Sequence, residues 1–290
     1  MNFKRIEIVF VIAFIGLNLF LFALYRNNTN ALATATNTPQ TESIETLLST
    51  NNITYSGDFS REKMEGYYLS GEQTSWPEAL RQLREESGNS DLFTRTSTTD
   101  NILTSQLTNP QIVNTDELAD GIVAFIAQRN LVPFGTDYTY QEDLSTFSDE
   151  TNTAIASQSY EGISFFDSSD PTAQLELTLT ESSDNETYRI DSYRVTHISN
   201  IETLRERMEL ISEREAVATL YTNSRLPQDS EILWTKLAYS RIIQLREKSV
   251  YVPVWFVAVS RSGETGVQYE SVNAISNSVI TNSSLTVVES

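Results

Sequence analysis

The chain has 290 residues, no cysteine, and 20 basic against 39 acidic residues, a net charge of −19. The absence of cysteine excludes disulfides, thiolate metal sites and thiol nucleophiles. A polyanionic surface repels nucleic acid and anionic lipid head groups.

The charge is unevenly spread. The first 26 residues hold Lys4, Arg5 and Arg26 against Glu7, which leaves 17 basic and 38 acidic residues, or −21, on the remainder. Residues 8–25 carry no charge, and thirteen of these eighteen are Ile, Leu, Val or Phe. As a helix this run spans roughly 27 Å, about the thickness of a bilayer's hydrocarbon. Its apolar residues favour insertion by about 4–8 kcal/mol. Lys4 and Arg5 before it place the N-terminus in the cytoplasm by the positive-inside rule. The sequence therefore predicts a cytoplasmic N-terminus (residues 1–5), a transmembrane helix (6–25) and an extracytoplasmic remainder at the cell membrane. A cleaved signal peptide is the rival reading, since Ala31-Leu32-Ala33 offers an A-x-A pattern. The apolar run is longer than a signal-peptide core, which favours the anchor.

Asn18 is the polar residue inside this run. On a seven-residue repeat it shares a seam with Glu7, Val11, Phe14, Leu21 and Tyr25. An amide in hydrocarbon seeks a partner on another helix, worth about 0.6–2 kcal/mol. Val11, Phe14, Asn18, Leu21 and Tyr25 are the predicted helix–helix interface. The bland alternative is an amide satisfied by its own backbone.

Residues 26–41 are Asn-, Thr- and Ala-rich and lack large apolar groups, which predicts a flexible linker. Residues 42–51 read as a short helix, and 53–59 and 65–72 as strands with turn signals at Gly57-Asp58 and Ser70-Gly71. Trp76-Pro77-Glu78 opens a second helix, closed by Gly88-Asn89-Ser90-Asp91. Thr115 is placed to cap a helix over 115–130 with Leu118, Ile122, Phe125 and Ile126 on one face. Strand-like runs come next at 137–147, 154–166, 173–181 and 187–199. Ser212-Glu213-Arg214-Glu215 is a capping box that opens a helix through about Asn223. Strand-like runs at 231–245, 250–259 and 266–275 succeed it. The first of these also fits a helix face (Trp234, Ala238, Ile242, Leu245), but context favours a strand. Pro253 argues against a fully paired central position and predicts a bulge or an edge. The fold class expected is α+β: a transmembrane helix, then two similar halves (42–199 and 200–290), each a helix followed by antiparallel sheet.

Catalytic chemistry is hard to build from these residues. His197 is the single histidine, and one histidine makes neither a zinc site nor, without a nucleophile elbow, a triad. It reads as a strand-face residue beside Tyr193 and Val195. Residues 167–170 and 184–186 are acidic but lack calcium-loop spacing and its glycine, and they read as solvated turns. Tyr67, Tyr68, Tyr160, Phe165, Phe166, Tyr239, Tyr251, Trp255 and Phe256 fit core packing better than a binding groove. No catalytic, cofactor-binding or metal-ligating residue is predicted.

Five stretches, MNFKRIEIVFVIAFIGLNLFLF, ITYSGDFSREKMEGYYLSGE, SEREAVATLYTNSRLP, VYVPVWFVAV and VNAISNSVI, resemble the YycI (WalI) family of regulatory membrane proteins. The resemblance implies an α+β outer part, with a last segment like PepSY-type domains. It implies partnership with YycH (WalH) and with the essential sensor histidine kinase YycG (WalK), modulated through transmembrane-helix contacts in a system that controls cell-wall metabolism of Gram-positive bacteria. An extracytoplasmic ligand-binding domain, or a PepSY-type inhibitor tethered to or released from the membrane, is the alternative. A homodimer is left open.

Overall fold

A computed structural model describes Phe14, Asn18 and residues 43–281, except 149–150, 168–170, 184–185, 246–247 and 262–265. The predicted membrane segment (Phe14 and Asn18 apart) and the linker lie outside the described residues. No helix among the described residues is long and apolar enough to cross a membrane. The chain divides into compact units 1–47 and 48–290, and the second carries the sheet.

The elements run α1 (Ile44–Thr50), β1 (Ile53–Tyr55), β2 (Glu65–Gly66), β3 (Leu69–Gln73), α2 (Trp76–Ser87), β4 (Thr96–Thr99), β5 (Ile102–Asn114) and α3 (Leu118–Ile126). They continue with β6 (Tyr138–Phe147), β7 (Asn152–Tyr160), β8 (Ile163–Phe165), β9 (Gln174–Glu181), β10 (Thr187–Val195), β11 (Ile198–Thr203) and β12 (Met208–Glu209). The last are α4 (Glu213–Thr222), β13 (Ser230–Gln244), β14 (Lys248–Arg261), β15 (Val267–Asn273) and β16 (Ser278–Ile280). This is an α+β protein with one large mixed sheet and few helices.

Fourteen strands form that sheet, along the path β11-β3-β14-β13-β8-β7-β9-β10-β5-β4, with β1 on β13, β15 on β14, β16 on β15 and β6 on β7. The β1–β13 and β8–β13 pairs are parallel. Two segments emerge, joined by the three-residue strand β8, which pairs β7 on one side and β13 on the other. The first segment holds β4–β7, β9 and β10, and the second holds β1, β3, β11 and β13–β16. Because β1 joins β13 and β3 joins β14, pairing crosses the expected boundary at 199/200.

Local chemistry accounts for the helix ends. Gly88 takes φ 65° after α2, and its N–H bonds Glu85 O, the left-handed stop that glycine adopts without a Cβ penalty. Ser212 and Glu215 close the expected capping box on α4: Ser212 Oγ accepts from Glu215 N, and Glu215 Oε2 accepts from Ser212 N at 2.8 Å. Helix α3 departs from expectation. Thr115 opens a 3-10 turn over Thr115–Glu117, and the α-helix runs only from Leu118 to Ile126. Gly135 folds back on its end, where a Cβ would fall 1.9 Å from Ile126 O.

The long strands settle two ambiguities. Residues 230–244 are a strand, with bulges between Ile232 and Trp234 and between Arg241 and Ile243. Each bulge flips the face of the residues beyond it, so Ile232 and Tyr239 are buried while Leu233, Ile243 and Leu245 are exposed. That broken parity is why the run also fits a helical period. Pro253 pairs with Tyr239 of β13. On its other edge β3 ends at Tyr251 and β15 begins at Val254. Pro253 O accepts from Ala274 N at 2.9 Å on that edge. A strand residue's N and O point the same way, so the missing N–H falls in the break between β3 and β15.

The run at 154–166 divides into the hairpin β7–β8. Its two-residue loop, Glu161-Gly162, has φ 48° and 83°, the positive pair of a type I′ turn. Strands β4 and β5 carry little sequence signal. Pro110 and a register shift of β5 opposite Ile190/Ser192 interrupt the period-2 pattern that would announce β5, and β4, Thr-Ser-Thr-Thr, has no apolar residue to alternate.

Candidate functional site

Of the predicted transmembrane interface, Phe14 and Asn18 lie among the described residues, and both are helical. Asn18 Nδ2 donates to Phe14 O at 2.8 Å. This bond uses one of the amide's two N–H groups. Val11, Leu21 and Tyr25, with the topology determinants Lys4 and Arg5, fall outside the described residues.

In the sheet-bearing unit the polar groups converge on His197. It does not sit on a strand face beside Tyr193 and Val195. It lies in the link between β10 and β11, 8% exposed, because the strand run divides at Thr196-His197. His197 Nδ1 is 2.7 Å from Thr74 Oγ1, and Nε2 is 3.1 Å from Asp137 Oδ2. Gln158 Nε2 also lies 3.3 Å from the imidazole Nε2; the shorter Asp137 contact, to a carboxylate that only accepts, places the proton on Nε2, and Nδ1 of the neutral ring then accepts from the Thr74 hydroxyl. Gln158 reaches from β7 to the same point. It donates to Ile198 O and accepts from Ile198 N, both at 2.8 Å. Thr74 N donates to His197 O at 2.9 Å. Phe134 stacks on the imidazole at 4.4 Å and 17°, with its own backbone at φ 55°. A bulky residue there costs about 1–3 kcal/mol and persists only when its surroundings hold it.

The position of this cluster matters. Thr74 links β3 of the second segment to α2 of the first, and Thr196-His197 link β10 of the first to β11 of the second. Asp137 and Gln158 belong to the first segment. The cluster therefore ties together two of the chain's crossings between the segments. It opens on a cavity of about 530 Å³, bordered also by Glu72, Glu78, Gln82 and Asn200. Thr74, His197 and Asp137 have the residue types of a hydroxyl–imidazole–carboxylate relay. Thr74 is only 4% exposed, and its bonds to His197 through both the side chain and the backbone N–H hold the two crossings together.

The aromatic residues pack as core. Tyr67, Tyr160, Tyr239, Phe165 and Tyr251 form successive ring contacts with centroids 5.2–6.4 Å apart, and Tyr239, Phe165 and Tyr251 are buried. Burial first, and then nearby acidic groups, push the Tyr239 phenol up to about 12. Phe166, Trp234, Phe256 and Tyr269 form a second group. Sequence reasoning missed Glu213, which is buried. It accepts from Tyr55 Oη at 3.1 Å, from Ser60 N at 2.8 Å and from Thr235 Oγ1. Burial and this carboxylate raise the Tyr55 pKa. The capping box that contains Glu213 is visible in sequence; its donors from β1, the following loop and β13 are not.

Of the acidic stretches, residues 168–170 and 184–185 lie outside the described residues. Among the described residues no group of three or more His, Asp or Glu is arranged to hold a metal ion.

A solved structure of an uncharacterized protein from Eubacterium rectale ATCC 33656 is 9% identical, covering 79% of this chain and 91% of that one, with a TM-score of 0.41. No curated protein matches the chain. The family model described as YycI protein matches residues 33–275. With most of its length matched, from the linker through β15, the chain belongs to the YycI family.

Proposed function

We propose that this chain is a single-pass membrane protein, cytoplasmic at its N-terminus, that modulates the YycG/WalK sensor histidine kinase together with YycH/WalH through contacts between transmembrane helices. The observation that carries the reading is the family match over residues 33–275. YycI is a family of accessory regulatory proteins, and membership implies a YycG/WalK-associated role. Support for the anchor comes from the sequence: an apolar, uncharged run at 8–25 preceded by Lys4 and Arg5. The outer part, an α+β domain built on one large mixed sheet, pairs with the partner ectodomain.

In this reading the helix binds two signalling states of the kinase unequally, which is the condition for shifting their balance. A difference of about 1 kcal/mol, within reach of one Asn-mediated contact, changes the ratio roughly fivefold. Among the described residues the Asn18 amide bonds Phe14 O through one of its N–H groups, and a neighbouring helix would be met by the other N–H and the carbonyl.

A second reading, a tethered ligand-binding domain, rests on the cavity beside His197. Replacing residues 6–25 with an unrelated apolar span separates the two. Loss of control over phosphorylation of the kinase's response regulator supports helix-mediated regulation. Retained control moves the function to the outer domain. The intact mass of the membrane-extracted protein tests the anchor, because a chain that begins near residue 34 has been cleaved and released.

A further inference from the structure

We propose that His197 is a protonation-dependent clamp: its charged form tightens the junction between the two sheet segments, so that the outer domain stiffens as its surroundings acidify. The inference rests on the geometry of the junction and is independent of the regulatory reading above. Histidine is the side chain that serves as a protonation switch near physiological pH, and this chain has one.

The Asp137 and Thr74 contacts accept either protonation state without losing a bond. In the neutral ring Nε2–H donates to Asp137 Oδ2, and Nδ1 accepts from the Thr74 hydroxyl. On protonation Nδ1–H donates to Thr74 Oγ1 instead, since a hydroxyl serves as donor or acceptor. The Asp137 bond becomes an ion pair, and hydrogen bonds between ionised groups are about twice as strong as neutral ones. The Phe134 face stacked at 4.4 Å holds the neutral ring by aromatic stacking and adds a cation–π attraction when the ring is charged.

The charged groups that face the imidazole agree on the sign. From the turn before β6 comes Asp137, and from β6 the Tyr138 phenol, which burial and then the Asp137 charge push well above its ordinary range, so that it stays neutral. Gln158 of β7 is uncharged, and its amide nitrogen lies 3.3 Å from the imidazole Nε2. Glu72 of β3 and Glu78 of α2 border the same cavity. Glu72 is paired with Lys248 at 3.4 Å and Glu78 with Arg81 at 3.6 Å, so Asp137 is the anion that answers His197. Among the described residues no lysine or arginine lines the cavity. The tightened bonds hold Thr74 and His197, two points where the chain passes between segments, and through the Gln158–Ile198 pair they hold the start of β11.

The test uses the full-length protein in nanodiscs, carrying an affinity tag without histidine, so that the imidazole nitrogen spectrum reports His197 alone. Amide hydrogen exchange at Thr74 and Ile198, corrected for intrinsic rates, is compared at pH 5.5 and 7.5. Protection at both amides is expected to be at least about threefold higher at pH 5.5, well within what a charge-assisted bond supplies. The difference is expected to vanish in His197→Gln and in Asp137→Asn. Asp137 has 44% of its side chain exposed, so its substitution leaves the fold intact and decides the matter alone if His197→Gln does not fold. Equal protection at the two pH values in the wild type, or a difference that survives Asp137→Asn, overturns the proposal.

Discussion

In the first sheet segment, the face covered by α2 and α3 is filled by Leu103, Ile122, Phe125, Leu175, Leu177, Ile190 and Tyr193, each almost fully buried. In the second segment, α4 covers β13–β16, and the buried set includes Glu213 and Glu270 among the apolar residues. Glu213 is met by three donors, and Glu270 by Arg225 Nε at 2.7 Å and Gln268 Nε2 at 2.6 Å. Both segments are well packed, but for different reasons. The first holds by shape and apolar area, and loses stability when volume is removed. The second depends on completed polar networks, and loses stability when a partner is left unpaired.

The largest effect is expected where the first mode is strongest. Phe125→Ala opens a cavity beneath α3 and costs about 3–5 kcal/mol, read as a fall in the urea midpoint. Gly121 brings α3 so close to β5 that a Cβ there would meet Val113 Cγ1 at 2.1 Å, which limits how far the site can collapse. In the second segment, Glu213→Ala strands the Ser60 N–H and the Tyr55 and Thr235 hydroxyls, costing roughly 1–3 kcal/mol. Glu213→Gln keeps an acceptor and should recover part of that loss. A Glu213→Ala protein as stable as wild type would erase the distinction between the segments. Ser212→Ala removes one half of the capping box on α4, at about 1 kcal/mol, and leaves the midpoint of the first segment's exchange unchanged.

The smallest effect at neutral pH tests both segments together. Burial pushes the phenols of Tyr193, in the first segment, and Tyr239, in the second, from 10.0 up to about 12. A folded-state pKa raised above the unfolded value gives a stability contribution that is complete below pH 10 and is lost as pH rises through 12. Denaturation midpoints should therefore fall between pH 10 and 12. Tyr193→Phe and Tyr239→Phe should each flatten that fall, and at pH 7 each gives up one hydrogen bond, to Leu131 O and from Tyr67 N respectively, at about 1 kcal/mol.

Much of this architecture was legible from local chemistry. The Ser212/Glu215 box, Pro77 at the start of α2, Gly88 at its end and the alternation in 173–181 each work within a few residues, and each appears where expected. Strand β5 was not legible, because Pro110 and the register shift facing Ile190 break its alternation, and β4, Thr-Ser-Thr-Thr, has no apolar residue to alternate. Pro253 announced an interruption, but only the tertiary pairing shows that it is a change of neighbour from β3 to β15. The His197 cluster was the least visible. Thr74, Asp137, Gln158 and His197 are 123 residues apart at the widest, and no spacing rule links them. A lone histidine beside Thr196 inside a strand-like run was the only sign.

The central claim is that the membrane helix contacts the helices of the kinase, and crosslinking from position 18 tests it most directly. A photoreactive residue placed at Asn18 in the full-length protein, in cells that express the kinase, is predicted to form an adduct mapping to a YycG/WalK transmembrane helix, with none from the opposite helix face at position 16. Equal adducts from both positions, or none from position 18 while the protein is present in the membrane, would contradict it.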